Sequence, residues 1–145
     1  MIKIKVWGDG SCHNKRNCKN SMGIGIVIEY NNIYSYYSKF VGYGTSNIAE
    51  WEALITAFAE ISKISNKHEE MVFFTYFADS QLIVNQWNKE YSNFKFKLQQ
   101  MRAEFWHNKL KSSDILQVVW VRREFNKKAD LMSKLGNPYW SKKDT

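Results

Sequence analysis

Four acidic residues, Asp9, Glu50, Asp79 and Asp130, fall where the sequence pattern passes from strand to loop or from loop into helix. In open α/β sheets such ends are where sites form. Carboxylate oxygens are the hard ligands that Mg²⁺ and Mn²⁺ prefer. Four of them together repel strongly unless cations neutralise them. Two divalent ions about 3.5–4 Å apart in such a set can hold the attacking water and the leaving oxygen of a phosphodiester. Each acid also has an ordinary structural reading. Asp9-Gly10 suits a turn, and Glu50 suits a capping box begun by Asn47. Asp79 suits a helix N-cap, and Asp130 suits the positive end of a helix dipole. The combination, not any single residue, points to metal-assisted chemistry.

The elements that must position these acids follow from periodicity. Ile2 to Trp7 alternates lysine with apolar residues and reads as a strand, with Asp9 following it. Met22 to Tyr30 reads as a second strand, with Ile24, Ile26 and Ile28 on one face. Asn31-Asn32 predicts a tight hairpin turn into a tyrosine-rich strand over Ile33 to Val41. Asn47 to Ser65 has helical period, with Ile48, Trp51, Ile55, Phe58 and Ile61 on one stripe. Val72 to Ala78 is nearly continuous in apolar residues, as a strand buried on both faces would be. Helices are predicted at Ser80 to Lys89 and Phe96 to Lys111, and a further buried strand at Ile115 to Val121. A last helix spans Asn126 to Leu135, stopped by Gly136-Asn137-Pro138. The order β-β-β-α-β-α-α-β-α implies an α/β fold, a mixed sheet with helices on its faces.

A length of 145 residues with 44% hydrophobic content suits one domain over 1–145, with 136–145 as a short C-terminal tail. No apolar run is long enough to span a bilayer, and the N-terminus reads as strand rather than signal peptide. A cytoplasmic, monomeric protein with no membrane partner is expected. Cys12 and Cys18 lie in a polar stretch near His13. They read as free thiols, because a zinc site would lack a fourth ligand and C-x-x-C spacing. The net charge is +7, and it is unevenly spread. Residues 1–84 are neutral, whereas residues 85–145 carry thirteen Lys/Arg against six Asp/Glu. A one-sided basic excess suits a polyanionic partner.

Four segments then resemble those of a known family. Gly8-Asp9-Gly10-Ser11 is similar to the T-D-G-S start of the type 1 ribonuclease H fold. Thr45-Ser46-Asn47-Ile48-Ala49-Glu50-Trp51-Glu52-Ala53-Leu54 resembles its T-N-N-x-A-E-x-x-A-L helix start. Ala78-Asp79-Ser80-Gln81-Leu82-Ile83 resembles T-D-S-Q-x-V, and Asn126-Lys127-Lys128-Ala129-Asp130-Leu131 resembles N-x-x-A-D-x-L-A. The motifs come in the family's order and cover nearly the whole chain. The resemblance implies a ribonuclease H-like mixed five-stranded sheet ordered 3-2-1-4-5, with strand two antiparallel to the rest. It implies Asp9, Glu50, Asp79 and Asp130 as ligands of two Mg²⁺ ions, with Mn²⁺ able to substitute. The implied activity is metal-dependent endonucleolytic cleavage of the RNA strand of an RNA–DNA hybrid, leaving 5′-phosphate and 3′-hydroxyl ends. Gly10, Ser11, Cys12, Asn14, Ser46, Asn47, Ser80 and Gln81 are the implied substrate contacts. Related proofreading exonucleases carry D-x-E in the first strand, where this chain has Asp9-Gly10-Ser11.

The chain departs from the family's bacterial pattern in two places. The basic handle before the last helix is at best reduced, with Lys95 and Lys97 as its remnant. No histidine lies between Val118 and Asp130, as in the family's histidine-free branch. Arg123 or Glu124 could there assist product release or water positioning; a solvated salt bridge is the plain alternative. Lys15, Arg16 and Lys19 in the first loop, and Trp87, Asn88 and Lys89 after the second helix, are candidates for contact with nucleic acid. Two other functions remain open from sequence: a catalytically silent hybrid-binding domain, and a nuclease of this fold acting on another nucleic acid.

Overall fold

A computed structural model describes residues 1–13, 20–89 and 94–138. Among them five strands and four helices follow in the order β1 (Ile2–His13), β2 (Ser21–Tyr30), β3 (Ile33–Tyr43), α1 (Ser46–Lys67), β4 (Val72–Ala78), α2 (Gln81–Trp87), α3 (Lys97–His107), β5 (Ile115–Trp120) and α4 (Lys127–Leu135). Short 3-10 turns at Phe94–Phe96 and Arg123–Phe125 precede α3 and α4. The sheet runs β3-β2-β1-β4-β5. β2 is antiparallel to both its neighbours, while β1, β4 and β5 are mutually parallel. Asn31 and Asn32 both take positive φ (53° and 65°), as a two-residue hairpin turn with right-handed strands requires.

The core lies between α1 and the sheet. Ile24, Ile26 and Ile28 of β2, with Ile4 and Val6 of β1 and Phe74 and Tyr76 of β4, meet Trp51, Ile55, Phe58 and Ile61 of α1. Helix α3 closes over α1, and Arg102 pairs with Glu52 at 2.5 Å. Helix α4 covers the opposite face, over β1, β2 and β3. Asp114, its side chain enclosed, ties three segments together by accepting from Ser65 Oγ, Val72 N–H and Lys111 Nζ. Burial alone would raise its pKa, but these three bonds outweigh that and hold it below the usual carboxylate value.

Several expectations need correction. β1 does not end at Trp7 but continues to His13, so Asp9 sits inside the strand, opposite Gly25 of β2. Gly8 and Gly10 are strand residues there, not punctuation. β4 is buried on one face only: Val72, Phe74, Tyr76 and Ala78 are buried, whereas Phe73, Thr75 and Phe77 are half-buried. β5 has Val118 as its one buried residue. Both differences arise because α4 spans β1–β3 and leaves the β4–β5 part of its face open. The tail assigned from residue 136 starts in packed structure. Asn137 is buried, and its amide donates to Ser21 O and Oγ at 3.0 and 3.1 Å. Ser141 to Thr145 lie outside the described residues.

Two close backbone approaches set the layers. A Cβ built on Gly10 would meet the Ala49 backbone at 2.2 Å, on the α1 side. A Cβ on Gly25 would meet Ala129 O at 2.2 Å and Ser133 N at 2.4 Å, on the α4 side. Neither helix backbone can yield without leaving the sheet. Gly25→Ala is therefore expected to destabilise the fold by about 1–3 kcal/mol or more, read as a fall in Tm. An unchanged Tm would mean that α4 does not sit on β2 this closely.

Candidate active site

Each of the four acids comes from a different element, and the fold brings them to one place. Asp9 lies in β1, Glu50 in the second turn of α1, Asp79 just beyond β4, and Asp130 in the first turns of α4. Oxygens of Asp9, Glu50 and Asp79 all lie within 4.8 Å of one another. Asp130 approaches from α4, on the other face of the sheet, near enough to help raise the Asp9 carboxyl. The acids line a polar cavity of about 360 Å³ shared with Gly10, Ser11, Cys12, Ser46, Asn47, Ser80, Arg123 and Lys134.

The ordinary structural readings of three acids do not hold. Asp9-Gly10 is paired strand, not turn. The N-cap of α1 is Thr45, whose Oγ1 accepts from Ile48 N–H at 3.2 Å, so Glu50 lies outside any capping box. Glu50 instead accepts from Gly10 N–H at 2.9 Å, across the close approach of α1 to β1. The N-cap of α2 is Ser80, not Asp79. Asp130 keeps its ordinary reading, lying in the first turn of α4, and its carboxylate also pairs with Lys134 one turn on at 3.3 Å.

Electrostatics set this group apart from the rest of the chain. Burial, then the charge of Glu50 and contacts with Glu50, Asp79 and Asp130, push the Asp9 carboxyl up to about 12. Burial, followed by opposed effects of Asp9 and Asp79, raises Glu50 to about 7. Tyr76, fully buried below Gly8, is held as the neutral phenol by its burial and by Glu50, Asp9 and Asp79. Carboxylates this crowded cannot all ionise without a cation. Their oxygens are the hard donors a divalent cation takes, so the residues present fit such ions.

Of the other expected site residues, Gly10, Ser11, Cys12, Ser46, Asn47, Ser80 and Arg123 all line the acid cavity. Gln81 is exposed at the start of α2 and does not. Glu124 also stands apart. It is exposed, 3.7 Å from Arg122, and lines a neighbouring cavity on the far side of the Arg123–Phe125 turn. Cys12 donates its Sγ–H to Gly44 O, and burial raises its pKa, so it is a thiol and not a ready metal ligand. Asn14, Lys15, Arg16, Cys18 and Lys19 lie outside the described residues. Lys95 and Lys97 are exposed, and Trp87 packs edge-on against Phe58 in the core rather than standing free.

Two residues at the site had been assigned no role from sequence. Asn126 is buried, and its Nδ2 donates to Gly8 O at 3.0 Å and to Asp79 Oδ2 at 3.2 Å, orienting that carboxylate. Lys134 partners Asp130. The Asp130–Lys134 spacing of four on a predicted helix was the available signal for the second. Asn126 heads the N-x-x-A-D segment, which marks the position but not its partners, 118 and 47 residues away.

The raised carboxyls imply a pH dependence. Folded Asp9 holds a proton that the unfolded chain releases above about pH 4. Its folded pKa lies above its unfolded one, so the metal-free protein loses stability as pH rises through that range. Metal-free Asp9→Asn should therefore melt above the parent at neutral pH, with the gap closing toward about pH 4. Identical melting at neutral pH would remove the repulsion, and an unfolded variant would make Asp9 structural.

The chain matches the family described as reverse transcriptase-like over residues 8–136. No curated protein sequence matches it significantly. Among solved structures it is similar to LC11 RNase H1, isolated from compost by a metagenomic approach. The identity is 26% and the TM-score 0.80, over 96% of this chain and 98% of that one. The same LC11 RNase H1 in complex with an RNA/DNA hybrid gives 25% identity and a TM-score of 0.79, covering 94% of this chain and 97% of that one. RNase H1 from the halophilic archaeon Halobacterium salinarum NRC-1 shares the fold at 20% identity, with a TM-score of 0.77 over 92% of this chain and 96% of that one. With its sheet order and clustered acids, the chain belongs to the reverse transcriptase-like family and has the type 1 ribonuclease H fold.

Proposed function

We propose that the protein is an endoribonuclease that cleaves the RNA strand of RNA–DNA hybrids, leaving 5′-phosphate and 3′-hydroxyl ends. The observation that carries this reading is the meeting of Asp9, Glu50 and Asp79 oxygens within 4.8 Å in an open polar cavity. A pure binding domain has no use for so costly a cluster. LC11 RNase H1, the similar protein solved with an RNA/DNA hybrid, supports the choice of substrate.

Two Mg²⁺ ions, or Mn²⁺ in their place, would be held by Asp9, Glu50, Asp79 and Asp130, and supply charge neutralisation and Lewis acidity at the scissile phosphate. The protein's own residues do the rest. Asn126 and the Gly10 N–H fix the Asp79 and Glu50 carboxylates, so little reorganisation is needed on binding. Lys134 balances Asp130 when cations are absent. Arg123 offers a fixed cation to the backbone phosphate. Ser11, Ser46 and Asn47 place small polar groups at the cavity wall, where 2′-hydroxyls of one strand can be sensed. A cytoplasmic monomer is the proposed working form.

Labelled hybrid, duplex DNA, duplex RNA and single strands, each with Mg²⁺, Mn²⁺ or EDTA, test the reading. Only hybrid with a divalent cation should be cut, and Asp79→Asn should abolish cleavage while remaining folded. Full activity in EDTA would sink the cation-dependent mechanism. Preferential cutting of another duplex would transfer the activity to that substrate. Tight hybrid binding without cleavage under any condition would make the protein a silent binder.

The placement of Arg123 and Glu124 separates their roles. Arg123→Ala should lower steady-state turnover, with first-turnover cleavage less affected if it draws product phosphate away. Glu124→Ala should leave both rates near the parent's, because its side chain faces away from the acids. Equal losses in both variants would restore Glu124 to the site.

A further inference from the structure

The cavity that Glu124 lines has no part in the proposed chemistry. It holds about 280 Å³ and lies on the α4 face of the sheet, beside the Arg123–Phe125 turn. Its floor crosses three strands: Trp7 of β1, paired opposite Val27 of β2, and Tyr34 of β3, two residues along from Val27's partner Tyr36. Phe125, Lys127 and Lys128 stand in the wall with Glu124, Asn126 and Ala129. Three aromatic rings therefore surround a space at the small end of ligand sites, suited to one flat ring.

These rings are not core. Trp7, Tyr34 and Phe125 fall outside the hydrophobic cluster between α1 and the sheet, and Phe125 is 67% exposed. Two of them are backed by a second ring. Trp7 stacks on Phe77 at 5.3 Å, and Tyr34 on Tyr36 at 6.4 Å. Lys128 Nζ stands 4.6 Å from the Tyr34 ring centre. Among the described residues the one acid in the wall, Glu124, is balanced by Arg122. Rigid aromatic faces with ammonium groups at the rim are what single-stranded nucleic acid uses: bases stack and phosphates pair.

The slot adjoins the acid site across the Arg123–Phe125 turn. Arg123 lines the acid cavity, and the next residues, Glu124 and Phe125, line the slot. Asn126 lines the slot while its amide holds Asp79. From these observations we propose that the Trp7–Tyr34–Phe125 slot binds an unpaired base of a single strand running on from the acid site. The proposal rests on the nucleic-acid reading of that site and adds a subsite for single-stranded extensions.

Short oligo-dT and oligo-U, neither a hybrid, serve as probes of the full-length protein by fluorescence anisotropy. Blunt-ended hybrid cleavage is followed in parallel. Stacking of one base predicts that Phe125→Ala weakens single-strand binding about tenfold. Tyr34→Ala should do the same, and blunt-hybrid cleavage should be unchanged in both. Phe125 is exposed, so its removal should leave the melting temperature intact. Single-strand affinity that is equal in the parent and in both variants overturns the proposal. So does a glutamate-rich peptide that binds in a Phe125-dependent way where the oligonucleotides do not, since the slot would then serve a protein. If blunt hybrid is never cut yet single-strand binding still depends on Phe125, the slot stands and the nuclease reading falls.

Discussion

Helix backbone lies against strand backbone at two points, and the site depends on both. A helix first turn can touch a strand only where the strand has no side chain in the way. Gly10 opens one face of the sheet to Ala49 of α1, and Gly25 opens the other to Ala129 of α4. The residue after Ala49 is Glu50, and the residue after Ala129 is Asp130. The strand residue between the two approaches, next to Gly10 and opposite Gly25, is Asp9. Each helix thus delivers one acid to a central carboxylate, from opposite sides of the sheet. The parallel alignment of β4 with β1 delivers Asp79 at the same height.

This arrangement works against stability. Burial and mutual repulsion leave Asp9 protonated in the metal-free state, so the packing that forms the site also strains it electrostatically. The fold offsets the strain locally. Gly10 N–H and Asn126 donate to the acids, and Lys134 pairs with Asp130. Such strain is tolerable only where function requires it, and a cation removes it on binding.

Much of this was legible in the sequence, for identifiable reasons. Long periodic segments such as α1 fixed their own type, and the Asn31-Asn32 pair fixed the hairpin through its tolerance of positive φ. Ordered motifs located the four acids. What failed was local reading of residues whose conformation is set from a distance. Asp9-Gly10 looks like a turn, yet it lies within a strand, where Gly10 makes room for the α1 backbone and Gly8 for the Tyr76 ring. Glu50 looks like a cap, yet its partner is 40 residues away. The exposure of β5 could not be read either, because an apolar run does not show that α4 stops short of it.

The missing loop histidine also has a geometric side. Arg123 and Glu124 are adjacent in sequence, but a 3-10 turn sends consecutive side chains in different directions. One therefore enters the acid cavity and the other the neighbouring slot. A loop of this form cannot present both charges to one phosphate. Asn126, at the end of the turn, anchors it to Gly8 and Asp79 and so fixes which residue faces which side. The turn is thus a partition, with carboxylates and a guanidinium on one side and aromatic rings with lysines on the other.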